Sequence, residues 1–170
     1  YGMHVVNLRL AMVYGFRGRG NLERMGRLVQ KGLFPPLPET GNRRSLLHVD
    51  DVVSVMRLVV EDARAGGRTY IVASNEAPSG RQLFDALHAA HGLQPCSWTM
   101  PEWIWRFAGR AGDVVARVTR RSVPLDSEVV SRLLNSACYS PERIEKELGW
   151  RAQIRLADGL REMCGFEALV

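Results

Sequence analysis

Residues 4–15, HVVNLRLAMVYG, form a β-rich and almost uninterrupted apolar run ending at Gly15. A strand with one wet face alternates apolar and polar residues. A strand this apolar throughout must be covered on both faces, as strands of parallel α/β sheets are. The run is therefore expected not to be a free edge, and the rest of the chain must supply the covering layers.

Helical patterns follow in alternation with short strands. After the loop GFRGRG, the segment NLERMGRLVQKG places Leu22, Met25 and Leu28/Val29 on one helical face, with Asn21 near the N-cap and Gly32 as a stop. FPPLPETG reads as an extended connection, because three prolines exclude helix and central strand. SLLHV reads as a strand, Asp50 and Asp51 as caps of the next helix, and Val52, Val55, Met56 and Val59 as its buried face. TYIVA, 69–73, is a further strand, and Ser79 with Gln82 forms a capping box for a helix carrying Leu83, Phe84 and Leu87. PEWIWRFAGR and GDVVARVTRR suggest two helices, with Trp103, Ile104 and Phe107 as core or a subunit face. SPERIEKELGW has Ser140 as N-cap, Pro141 at the first helical position and Gly149 as stop, and LADGLREMCGF repeats helical spacing. Alternation of this kind predicts an α/β protein with some parallel pairing.

Composition narrows the partners. The chain has 170 residues, 46% of them hydrophobic, enough for a packed core. No apolar run approaches the roughly 18 residues that span a bilayer, and no charged-then-apolar leader opens the chain. A soluble protein of the cytoplasm is expected. Cys96, Cys138 and Cys164 are odd in number and lack metal-ligand spacing, so neither a disulfide framework nor a metal site is expected. The net charge is +5, but 21 arginines against two lysines are spread along the chain. The Arg-Arg pairs at 43–44 and 120–121 are too short for a basic stripe, so nucleic-acid binding is not expected.

Four motifs, read in order, carry a resemblance: LRLAMVYG (8–15), NRRSLLHVDDVV (42–53), TYIVASNEAPSGRQL (69–83) and SPERIEKELGWRAQIRLADGLRE (140–162). Together they resemble the C-terminal half of extended short-chain dehydrogenases/reductases, the NAD-dependent epimerase/dehydratase family. GRGNLERMGRLVQKG followed by NRRSL is most similar to the bacterial branch that epimerises or reduces C4 of UDP-linked amino sugars for surface polysaccharide. The resemblance implies a Rossmann-type α/β fold in which residues 1–15 are a late parallel strand and 16–170 a mixed, mostly helical substrate-binding lobe. It also implies that the N-terminal dinucleotide-binding half is absent. The glycine-rich turn that cradles NAD or NADP and the Tyr-x-x-x-Lys pair are not found: GFRGRG follows the wrong strand, and Tyr1 and Tyr14 lack a lysine four residues on. No catalytic residue is expected in this segment, which should be inactive alone. Members of the family often dimerise through helices of the preceding half, so the oligomeric state is not readable from these residues, and a homodimer of the full-length protein is one open reading.

The same resemblance implies binding residues for a UDP-sugar. Arg44 occupies the position of the family arginine that reaches the diphosphate, a task suited to its planar fork of donors. The alternative is a surface arginine paired with Glu39 or Asp50, worth under about 1 kcal/mol. Arg43 is expected to face solvent. Arg132 is the candidate for a second anion-binding arginine, or else a helix-face residue among Val129, Val130 and Leu133. Asn21 resembles the family asparagine that contacts phosphate or sugar, or is a plain N-cap. Phe34 and Leu37 lie where the family's extended connection lines the uracil, or pack a lid. His48 is structural in the family. Met12 stands where many members carry Asn, which casts doubt on a standard UDP-glucose 4-epimerase and fits the amino-sugar branch. Two other classes stay open: a non-catalytic relative that binds a dinucleotide or partner, and a basic nucleic-acid module.

Overall fold

The computed structural model describes residues 2–18, 20–119 and 126–165, so Tyr1 and the Arg-Arg pair at 120–121 lie outside the described residues. The apolar run at 4–15 does not make one strand. It divides at Ala11 into β1 (Asn7–Leu10) and β2 (Met12–Tyr14), each with a different parallel partner. β1 pairs with β4 (Thr69–Val72) and β2 with β3 (Leu46–His48). Nor is the run covered throughout: Val5, Leu10 and Val13 are exposed, and among the described residues β1 pairs with β4 alone and β2 with β3 alone. The strand with both faces covered is β3. Leu46 enters one apolar cluster, Leu47 the other, and His48 is buried beside them.

The helices form those two clusters. α1 (Asn21–Gln30) buries Leu22, Met25 and Val29, and ends before Gly32, whose φ of 67° suits glycine. α3 (Gly80–Ala90) starts at the Ser79/Gln82 capping box and lays Leu83, Phe84 and Leu87 into the same cluster. α7 (Leu156–Met163) adds Leu160 there. On the other side, α2 (Val49–Glu61) contributes Val52, Val55 and Val59, and α6 (Glu142–Leu148) contributes Ile144 and Leu148.

Several local expectations are corrected. The cap of α2 is His48, whose Nδ1 accepts the Asp50 amide at 3.3 Å, and not an aspartate. Asp51 is freed to accept the amides of Gln153 and Ile154 at 2.8 and 3.2 Å, which ties α2 to the approach to α7. Met56 is exposed, and Asp51 takes a buried place on that face. Residues 101–119 do not break at Gly109 and Gly112. They form a single helix, α4 (Glu102–Thr119), and both glycines are buried. A Cβ on Gly109 would sit 3.0 Å from Cα of Ser127, so this glycine lets α4 approach α5 (Ser127–Leu134) closely. Within α4 the buried aromatic is Trp105, whereas Trp103 and Phe107 face outward.

Candidate functional site

The second half of the extended connection between α1 and β3 is held by polar ties. Glu39 accepts a 2.6 Å hydrogen bond from the Ser79 hydroxyl. Asn42, buried, accepts from the Gly80 amide at 2.9 Å and donates to the Leu133 carbonyl at 3.0 Å, joining the connection to the start of α3 and the end of α5. Ser45 accepts the Tyr139 amide at 2.9 Å. Arg44 sits between these ties, in a parallel bridge with Ala137, its own amide donating to the Pro78 carbonyl at 3.0 Å. Its backbone is therefore fixed from two sides.

The side chain is less committed. Arg44 is half-buried, and Nη2 donates a long 3.3 Å bond to the Asn135 carbonyl. Among the described residues it forms no ion pair, since Glu39 is engaged by Ser79 and Gly41 and Asp50 lies beside His48. Burial pushes its pKa below the ordinary value, and only Tyr139 opposes the shift. A partly desolvated guanidinium with most of its five donors unsatisfied is suited to a bidentate oxyanion.

The other residues implied by the resemblance are placed differently. Arg132 is exposed on α5 and paired with Glu128 one turn earlier; it lies near Asn135 in sequence but points its charge into an i,i+4 pair. Asn21 is the exposed first residue of α1; the cap is Gly20, and no side chain caps that end. Phe34 is half-buried against Trp105 and Phe84, with ring centroids 5.6 and 6.4 Å apart. Leu37 is 1% exposed and fills the cluster under α3. Leu37 thus presents no surface to a ligand and shapes the site only by packing. Arg43 is exposed and donates to the Ala77 carbonyl at 3.1 Å. Asn42 and Asn135, which build the Arg44 seat, carried no sequence signal beyond being polar.

Two groups test for chemistry. Tyr14 is buried, and its pKa is raised well above the ordinary phenol value, first by burial and then by Glu76, Asp51, Glu162 and Asp158. A proton-transferring tyrosine needs the opposite shift. His48, Asp50 and Glu162 bring possible ligand atoms within 4.8 Å of one another. However, His48 faces Asp50 through Nδ1 at 3.7 Å and Glu162 through Nε2 at 3.6 Å, and Nδ1 already accepts an amide. Asp50 and Glu162 are exposed surface carboxylates and the ring already caps α2 through Nδ1, so the trio has the make-up of a helix cap with acids beside it. In the glycine turn a Cβ on Gly15 would lie 2.5 Å from Val49, so at this position the close approach that glycine allows is to α2.

Parallel strand pairs alternating with helices, with the four motifs in order along the chain, place it in the class of extended short-chain dehydrogenases/reductases. A family model described as GDP-mannose 4,6 dehydratase matches residues 1–163, and the chain belongs to that family. It is 26% identical over 163 residues to the UDP-glucose 4-epimerase of Vibrio cholerae, a match that takes in 94% of this chain and 45% of that protein. It is 19% identical over 160 residues to the N-acetyl-α-D-glucosaminyl-diphospho-ditrans,octacis-undecaprenol 4-epimerase of Escherichia coli O157:H7, covering 94% and 48%. The Bordetella bronchiseptica enzyme WbmG, solved with NAD and UDP, superposes with a TM-score of 0.64 at 18% identity, over 95% of this chain and 43% of that one. The chain thus spans about half the length of the curated relatives it matches. Among the described residues no helix is long and apolar enough to cross a membrane.

Proposed function

We propose that this chain is the substrate-holding portion of a nucleotide-sugar enzyme that works at C4 of a UDP-linked amino sugar, by epimerisation or reduction, in surface polysaccharide synthesis. Residues 1–15 are then the late strand region of the Rossmann-type sheet, and 16–170 the lobe over the sugar nucleotide. The observation that carries the reading is Arg44, half-buried, fixed through its backbone and lacking a carboxylate partner among the described residues. Two relatives named as 4-epimerases of sugars on a diphosphate carrier support it.

In this reading Arg44 grips the diphosphate, and its gain is large because the guanidinium is already desolvated. Arg132 is a second anion contact if it exchanges Glu128 for a phosphate, Asn21 reaches phosphate or sugar from the exposed end of α1, and Phe34 offers a partly open apolar wall. Leu37 supports that wall from beneath. Holding the sugar within a fraction of an ångström matters, since a misplacement of about 1 Å can cost on the order of 100-fold in rate. NAD or NADP supplies hydride chemistry in the whole enzyme and is held mainly outside these residues. No group described here is assigned to proton transfer. A cytoplasmic homodimer belongs to the same reading.

Calorimetric titration of UDP-N-acetylglucosamine into the full-length protein tests it. Arg44→Ala is expected to weaken binding by about 1.5–3 kcal/mol, the scale of a hydrogen bond to a charged group. Unchanged affinity would remove Arg44 from the diphosphate, and absence of binding in a folded wild type would remove the substrate class.

A further inference from the structure

α4 carries an apolar row that the proposed chemistry does not use. Trp103, Phe107, Val114 and Val118 are 69%, 70%, 58% and 79% exposed, and Ala111 is exposed between them. Their spacing of four, seven and four residues puts them on one face of a helix about 27 Å long. The buried side of α4, with Trp105, Gly109 and Gly112, lies opposite, against α5.

A second row runs beside the first. Arg106, Arg110 and Arg117 each follow a member of the apolar row by three residues and are all exposed. Arg106 shares its charge with Glu102 at 2.6 Å, while Arg110 and Arg117 have no ion pair among the described residues. Asp113, beside them, accepts the Ser127 amide of α5 at 3.1 Å and feels the Arg117 charge without forming an ion pair with it, which among the described residues leaves Arg110 the freest cation of the row. The helix therefore presents a Trp/Phe/Val ridge edged by cations.

We infer that this face of α4 docks on an anionic bilayer surface, lying in the interface without spanning it. The apolar ridge matches the acyl boundary, where tryptophan is favoured, and the arginine row matches lipid phosphates. Charge complementarity separates this occupant from a second copy of the chain: an antiparallel two-fold pairing of α4 would bring both arginine rows to the same edge. Arg106 and Arg110 also line a recess with Ser131 and Asn135, and Asn135 is the carbonyl that holds Arg44. Docking would thus set the Arg44 site beside the headgroups. The inference stands on the two rows alone and does not depend on the proposed reaction.

Cosedimentation of the full-length protein with vesicles tests it, using pure phosphatidylcholine and phosphatidylcholine with about one-third phosphatidylglycerol at low ionic strength. The wild type is expected to pellet with the anionic vesicles and to be released by salt. Trp103→Ser with Phe107→Ser, and separately Arg110→Gln with Arg117→Gln, are each expected to weaken partitioning at least about tenfold while leaving the melting temperature unchanged. A wild type that stays in the supernatant with both vesicles overturns the inference, as do variants that pellet like the wild type. Conversion of a dimer to a monomer by the aromatic variant, without vesicle binding, assigns the face to a second copy instead. A lowered melting temperature for that variant assigns it to cover by another part of the protein.

Discussion

Arg44 and Arg132 are the same residue type in similar sequence surroundings, yet only one is placed to need a ligand. Arg132 satisfies its charge within its own helix, whereas Arg44 is held in a backbone bridge where no acid among the described residues reaches it. Asp51 shows the complementary case, a carboxylate whose partners are two amides about a hundred residues away, at Gln153 and Ile154. Asp51→Ala should leave both amides poorly satisfied and cost about 1–3 kcal/mol, read from urea unfolding with an unchanged slope. His91 supplies a pH effect. Its ring packs 3.3 Å from the Cys164 sulfur, and burial, with the nearby His88, lowers its pKa. The unfolded chain then binds the proton more readily, so this contribution is complete above the ordinary value of about 6.5 and is lost as pH falls through the lower folded value. The melting temperature should therefore fall between about pH 7.5 and about pH 5.5, and His91→Asn should fall less over the same range.

At the level of elements, glycines decide where helices meet. Residues 101–110 and 112–121 read as two helices from sequence, but 102–119 form one, and Gly109 is its contact point with α5. Gly109→Ala gains up to about 1 kcal/mol of helix propensity and loses about 1–3 kcal/mol to overpacking against the Ser127 backbone. A net loss of stability is expected in thermal melts. Gly159 is tighter: a Cβ there would lie 2.8 Å from the His48 ring and 2.9 Å from Tyr14, both buried and without room to yield. Gly159→Ala should destabilise at the upper end of about 1–3 kcal/mol or beyond, and more than the change at Gly109. These contacts were not legible in the sequence, because a glycine in a helical stretch reads the same whether it ends a helix or receives a neighbour. The Ser79/Gln82 box and the stop at Gly149, by contrast, were legible, since both act through neighbouring residues alone.

Across the whole molecule, two apolar clusters flank β3, while Val5 and Leu10 are exposed in and before β1, which pairs with β4 alone among the described residues. The 170 residues alone should consequently self-associate at micromolar concentration, as light scattering would show. A monomeric profile with a cooperative, high-temperature melt would contradict this. By itself the sequence determined the α/β class, the parallel pairing, most helix positions and the family, because periodicity, caps and ordered motifs are local signals that survive without a fold. It also singled out Arg44. Only the tertiary structure decided that Arg44 has no acidic partner among the described residues while Arg132 has Glu128, that Asp51 does not cap α2, that 4–15 divides between two sheets, and that Trp103 and Phe107 face outward while Trp105 is buried. Those outcomes depend on what lies across space from a residue, and helical spacing specifies a stripe without saying which side of it meets the core.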